Sequence, residues 1–204
     1  VALRATLLAC GLPCSPRALR DFRAINEALW ERYRRKELGQ AELAVERFRQ
    51  LALTLPGRKA PAARLAKTFV EQLSLRGDLV PGCRALLREL APSYRLAIVT
   101  NGIDRVQRAR LRVSRLEDFF AAIVTSEGSG FAKPDPRILG VALEALGVTA
   151  REAVYVGDDV RVDGVAARAA GMRFVWMRRF AELPPGARLP RHRITSLAEL
   201  PAVL

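Results

Sequence analysis

The sequence predicts an α/β fold: a doubly wound parallel sheet, preceded by a small all-helical domain. Three observations predict it. From about residue 78 onward, short β-branched runs alternate with helical segments. Those runs are continuously apolar rather than alternating, as expected of parallel strands buried on both faces. Residues 1–76 contain no such run and read as helices only. Strand–helix repetition with short links is the pattern of a sheet with helices on both faces. The chain of 204 residues is long enough for such a core and one smaller domain, and the change of pattern divides it into 1–76 and 77–204.

In the first region, residues 2–10 form an amphipathic helix. The segment SPRALRDFRAINEALWERYRRKEL has a start signal at Ser15 and a proline at Pro16. Leu19, Phe22, Ile25, Leu29 and Tyr33 then recur at helical spacing. AELAVERFRQLALTL gives a further helix, ended by Pro56-Gly57, and APAARLAKTFVEQLSL gives another, ended near Gly77. Four helices suffice for a small bundle, with Phe22, Trp30, Tyr33 and Phe48 as its aromatic core. In the second region RLAIVT (95–100), AAIVTS (121–126), AVYVGD (153–158) and RFVWM (173–177) read as strands. RVQRARLRVSRL, PRILGVALEALG and GVAARAAG read as the helices between them.

Composition narrows the function classes. Net charge is +13, and of 34 basic residues only Lys36, Lys59, Lys67 and Lys133 are lysines. The arginines are spread from Arg4 to Arg193 with no dense block and no interleaved aromatics, so no specific nucleic-acid partner is expected. Arginine interrupts every apolar run short of the roughly 20 residues that span a bilayer, so no membrane partner is expected either. Cys10, Cys14 and Cys83 are odd in number, and no histidine lies near them. That pattern argues against zinc and disulfides and for a cytoplasmic location. His192 lies among arginines and reads as a surface residue.

Ligands of open α/β sheets bind at the carboxyl ends of strands. The first predicted strand ends in Thr100-Asn101-Gly102 and runs into a helix. A hydroxyl, an amide and exposed backbone N–H groups there suit a phosphate oxygen. After the second strand, SEGSGFAKPDP fixes Lys133 between a glycine-rich loop and two prolines, where one positive charge can meet a phosphoryl group. The third strand ends Gly157-Asp158-Asp159, with Asp163 following. Three carboxylates so crowded repel one another unless a cation or a basic side chain lies between them, and hard oxygens beside a phosphate suit magnesium.

In this order, TNG, KPDP and GDxxxxD resemble the last three signature motifs of the haloacid dehalogenase superfamily. DFRAINEALWERY, VTNG and SEGSGFAKPDP look closest to its pyrimidine 5′-nucleotidase branch, with the sialic-acid 9-phosphate phosphatases nearby. The resemblance implies a magnesium-dependent phosphatase acting on a small phosphorylated metabolite through an aspartyl-phosphate, with residues 1–76 as a helical cap. It implies that Thr100, Asn101 and Gly102 hold the phosphoryl oxygens. Lys133 would offset charge, Asp158 bind Mg²⁺, and Asp163 support lysine and metal. The role of Asp159 stays open, with a metal-bound water as one contact. The family's nucleophile and acid/base belong to a D-x-D motif ending a central first strand, and this chain has no D-x-D. The expectation is therefore a truncated form of a longer phosphatase, inactive as it stands, with two inner strands each showing an unpaired edge. A metal-independent haloacid dehalogenase and a non-catalytic phosphate-binding scaffold are the alternatives.

Overall fold

Four amphipathic helices build the unit Val1–Arg76: α1 (Ala2–Ala9), α2 (Pro16–Arg34), α3 (Gln40–Thr54) and α4 (Ala62–Ser74). The computed structural model describes residues 1–57, 60–178, 183, 186 and 189–204. α2 begins as its sequence requires: Ser15 Oγ accepts the Ala18 N–H at 3.1 Å, and Pro16 takes the first helical position, where no N–H is needed. Leu7, Phe48, Leu51 and Leu65 are fully buried at the centre of the unit. The Phe22, Phe48 and Phe69 rings pack mutually around them at 5.4–5.5 Å. The expected aromatic stripe divides. Trp30 and Tyr33 pack edge-on beside a second small core of Leu29, Leu38 and Leu43. The cause is length: α2 has 19 residues, more than any helix it packs with, so its last turns need a core of their own.

The unit Gly77–Leu204 opens with α5 (Cys83–Leu90), entered through Gly82 at φ +77°, a left-handed conformation that favours glycine. Then follow β1 (Ala97–Thr100), α6 (Asp104–Val113), β2 (Ala122–Thr125), α7 (Ser126–Ser129) and α8 (Arg137–Leu146). β3 (Val154–Gly157), α9 (Val165–Ala169), β4 (Arg173–Met177) and β5 (His192–Ile194) complete it. α5 and β5 lie outside the elements expected from sequence. β5 has three residues, too few to show a pattern.

All strand pairing is parallel, but the sheet is in two pieces. β1 pairs with β2, with Thr100 opposite Thr125. β3, β4 and β5 form a second sheet in that order. Among the described residues no ladder joins β1 to β3. Both strands are only half-buried at all four positions, whereas β4 buries Val175, Trp176 and Met177. Inner strands flanked on both sides would be covered like β4, so one edge of each lacks a neighbour. No described helix is long and apolar enough to cross a membrane.

Candidate active site

The strand tips of the second unit gather around one ammonium group. Lys133 Nζ donates to Asp163 Oδ1 at 2.7 Å, to the Tyr155 hydroxyl at 2.9 Å and to the Val99 carbonyl at 3.2 Å. Val99 belongs to one sheet and Tyr155 to the other, so the side chain of Lys133 bridges the split. Three donors meet three acceptors, as a largely buried ammonium requires. Burial pulls the Lys133 pKa down, but Tyr155 and Asp163 outweigh it and hold the group above the ordinary lysine value. At neutral pH the phenol is uncharged, so the Asp163 carboxylate is the counter-ion. Burial pushes Tyr155 itself up to about 12.

The backbone of Lys133 is fixed as firmly as its side chain. Asn101 Nδ2 donates to the Lys133 carbonyl, and the Lys133 N–H donates to Asn101 Oδ1, both at 2.7 Å. The Lys133–Pro134 peptide bond is cis. Asn101, read from sequence as a phosphate ligand, thus spends both ends of its amide on positioning the lysine. Its backbone N–H and those around Gly102 are what this turn can offer an anion. α6 starts two residues after Gly102, and the first of its amides, Asp104 N–H, already donates to Glu127 Oε2 at 2.8 Å. Thr100 lies half-buried at the tip of β1. Opposite it, buried Thr125 accepts the Gly128 N–H at 3.1 Å and so ties the next loop to β2.

The three aspartates separate by role. Asp163 is buried, and its Oδ2 accepts the backbone N–H groups of Asp158 and Asp159 at 3.1 and 3.0 Å. Its carboxylate is fully committed. Gly157 makes room for it, since a Cβ there would lie 2.5 Å from Asp163 Cγ, a side chain with no freedom to move. Asp159 Oδ1 accepts from Arg161 N (2.8 Å) and Val162 N (3.3 Å), capping the π-helical turn Val160–Gly164 that leads into α9. The carboxylate of Asp158 is exposed and has no partner among the described residues. Its carbonyl accepts the Trp176 Nε1–H at 3.1 Å, which holds the strand tip in place.

For a magnesium ion the donor chemistry is right and the donor number small. Asp158 offers one uncommitted hard carboxylate, and magnesium commonly takes one or two, with waters and phosphate filling the rest. Asp163 is already neutralised by Lys133. Among the described residues no three His, Cys, Asp or Glu side chains converge on one point. Tyr155 has no signal in the sequence, because an aromatic in an apolar strand reads as core. A cavity of about 480 Å³ lies elsewhere, beside α9 and β4, lined by Val160, Gly164, Arg168, Met172, Phe174 and His192.

Residues 47–177 match the family model of the haloacid dehalogenase-like hydrolases. The chain belongs to this family. The pyrimidine 5′-nucleotidase YjjG of Escherichia coli K12 is 30% identical over 90% of this chain and 81% of its own length. The HAD-hydrolase YfnB of Bacillus subtilis, in a structure bound to magnesium, superposes with a TM-score of 0.88 at 29% identity, covering 100% of this chain and 89% of that one. A 2-haloacid dehalogenase from Pseudomonas syringae superposes with a TM-score of 0.66 at 30% identity, covering 99% and 87%. Family membership thus makes the chain a hydrolase of HAD type, and the relatives include both a pyrimidine 5′-nucleotidase and a 2-haloacid dehalogenase.

Proposed function

We propose that this HAD-like hydrolase is the greater part of a magnesium-dependent phosphomonoesterase that acts on a small phosphorylated metabolite. The observation that carries the reading is the division of labour at the tip of β3. Asp163 holds Lys133 charged and in place, and Asp158 is left free beside it. A charge-matched lysine and a free hard carboxylate suit phosphoryl transfer, which needs charge stabilisation more than covalent help. Lys133 would face the phosphoryl oxygens, with the backbone N–H groups around Gly102 and the Thr100 hydroxyl beside it. Asp158 would hold the magnesium ion. When bound, that ion supplies charge neutralisation on the phosphoryl group. Residues 1–76 would serve as the cap and 77–204 as the core.

The nucleophile is an aspartate that these 204 residues do not carry in a D-x-D arrangement. The open edges of β1 and β3 support a strand seated between them, with its carboxylates at the tip beside Lys133. A non-catalytic scaffold would need no such strand and would be expected to have an unbroken sheet. The test is hydrolysis of p-nitrophenyl phosphate, with and without Mg²⁺, by the 204-residue chain and by a longer form carrying a strand that ends in D-x-D. Turnover is expected only from the longer form and only with Mg²⁺. Magnesium-dependent turnover by the 204-residue chain overturns the need for an added carboxylate. Metal-independent release of halide from a 2-haloacid by the longer form replaces the phosphatase reading with dehalogenation.

A further inference from the structure

Arg47 occupies a position where the helical pattern calls for an aliphatic side chain. α3 buries Leu43, Arg47 and Leu51 at four-residue spacing, and Arg47 retains only 7% of its surface. A guanidinium this deep ordinarily has a carboxylate partner, because an unpaired buried charge costs several kcal/mol. Here the surroundings are aromatic. Its Cζ lies 4.8 Å from the Phe69 ring centroid and 5.6 Å from that of Phe48. Its one hydrogen bond among the described residues runs from Nη1 to Asn26 Oδ1 at 3.3 Å, and no acidic group is paired with it. Nε is buried without an acceptor. Burial pulls the guanidinium down to about 10, which leaves it charged at neutral pH.

Which edge is unsatisfied decides what it could take. Asn26 occupies Nη1, so the edge left without acceptors is the one made by Nε and Nη2. Two parallel N–H bonds from that edge match the two oxygens of a carboxylate or of a phosphate. The aromatic rings flanking the guanidinium hold it in place and strengthen an ionic bond by excluding water. A fold that needed only packing here would gain by replacing Arg47 with methionine or leucine. We propose that Arg47, positioned by Asn26, is an anion-recognition site of the helical unit that clasps a carboxylate or phosphate group through its Nε–Nη2 edge.

The test uses the 204-residue chain and reads the Arg47 Nε–Hε resonance, which the neighbouring Phe48 and Phe69 rings should shift away from the other arginines. Inorganic phosphate and acetate are titrated separately. A saturable shift with phosphate alone assigns a phosphate group, with acetate alone a carboxylate, and with both the shared chemistry. Two variants sharpen the result. Arg47→Met should raise the unfolding midpoint without added anion and lose the anion-induced rise. Asn26→Asp supplies a carboxylate at Nη1 that offsets the guanidinium charge, so it should also raise the midpoint and weaken the response of the Arg47 resonance to anions. No shift with either anion at tens of millimolar overturns the proposal, as does an Arg47→Met or Asn26→Asp chain that is less stable than the parent yet responds to anions as the parent does. Because the resonance lies in the helical unit, the result is independent of whether Lys133 and Asp158 serve phosphoryl transfer.

Discussion

The helical unit and the α/β unit differ in what completes them. Each helix of Val1–Arg76 closes most of its backbone hydrogen bonds within itself, and its core is fully buried at Leu7, Phe48, Leu51 and Leu65. A strand cannot do this. Among the described residues β1 and β3 each have one ladder and one open edge, and neither buries a single position completely. A bundle therefore looks finished whatever surrounds it, whereas a sheet reports an unmet partner in its own backbone. The units also hold their buried cations differently. In the α/β unit Lys133 has three acceptors and a carboxylate. In the helical unit Arg47 has one amide and two aromatic rings.

The comparison breaks first at the two cores. Phe48→Ala removes a fully buried ring from a three-phenylalanine cluster and should cost about 3–5 kcal/mol. Ile98→Ala on half-buried β1 should cost well below the roughly 2–5 kcal/mol of a fully buried site. Denaturant unfolding of the two variants, followed by a probe in each unit, measures both. Equal costs would mean that the open edge of β1 is covered in solution, and the contrast between the units would fall.

The contrast in counter-ions gives the next largest effect. Asp163→Ala strands a largely buried ammonium and two backbone N–H groups, so it should cost about 3–5 kcal/mol. Its pH signature lies on the alkaline side. Lys133 is held above its ordinary pKa, so its contribution is complete below the usual lysine range and is lost as pH rises through the folded value. Tyr155 is raised to about 12 by burial, so the folded state keeps a phenol proton that the unfolded chain gives up from about pH 10. Both groups lower stability as pH climbs. Unfolding midpoints taken across that range should fall steeply in the parent and less steeply in Asp163→Ala. An identical slope in the two would remove Lys133 and Asp163 as a coupled pair.

Much of this was legible in the sequence, for physical reasons that also mark its limits. Helical spacing placed α2, α3 and α4 to within a few residues, because the apolar stripe is the cause of the packing. Continuous apolar runs placed β1 to β4 for the same reason. Ordered strand-end motifs mark Lys133, Asp158 and Asp163 as candidates, and the fold brings the Lys133 ammonium and the Asp158 backbone to the Asp163 carboxylate. What did not read out were contacts whose partners are remote in the chain. The use of Asn101 on the Lys133 peptide and the hydroxyl of Tyr155 on the ammonium are meetings across 32 and 22 residues. Arg47 left a readable trace, since it falls between Leu43 and Leu51 on one face of α3, but a lone basic residue in a helix passes easily for a solvated one.

The smallest effect separates two neighbours that composition alone does not tell apart, although the motif resemblance gives the cation to Asp158. Asp158 and Asp159 are adjacent carboxylates at one strand tip, and composition gives each an equal claim to a cation. Their hydrogen bonding is opposite. Asp159 accepts from two backbone N–H groups of the turn ahead of α9, as a helix cap does. Asp159→Ala should therefore cost about 0.5–2 kcal/mol with or without magnesium. Among the described residues the Asp158 carboxylate has no partner to lose, so Asp158→Ala should change stability by less than about 0.5 kcal/mol in a chelator. Its effect should emerge only with Mg²⁺ present: any stabilisation that the ion gives the parent should vanish in Asp158→Ala and persist in Asp159→Ala. The reverse outcome, an Mg²⁺ response lost with Asp159 and retained without Asp158, would make the capping residue the cation ligand and exchange the two roles.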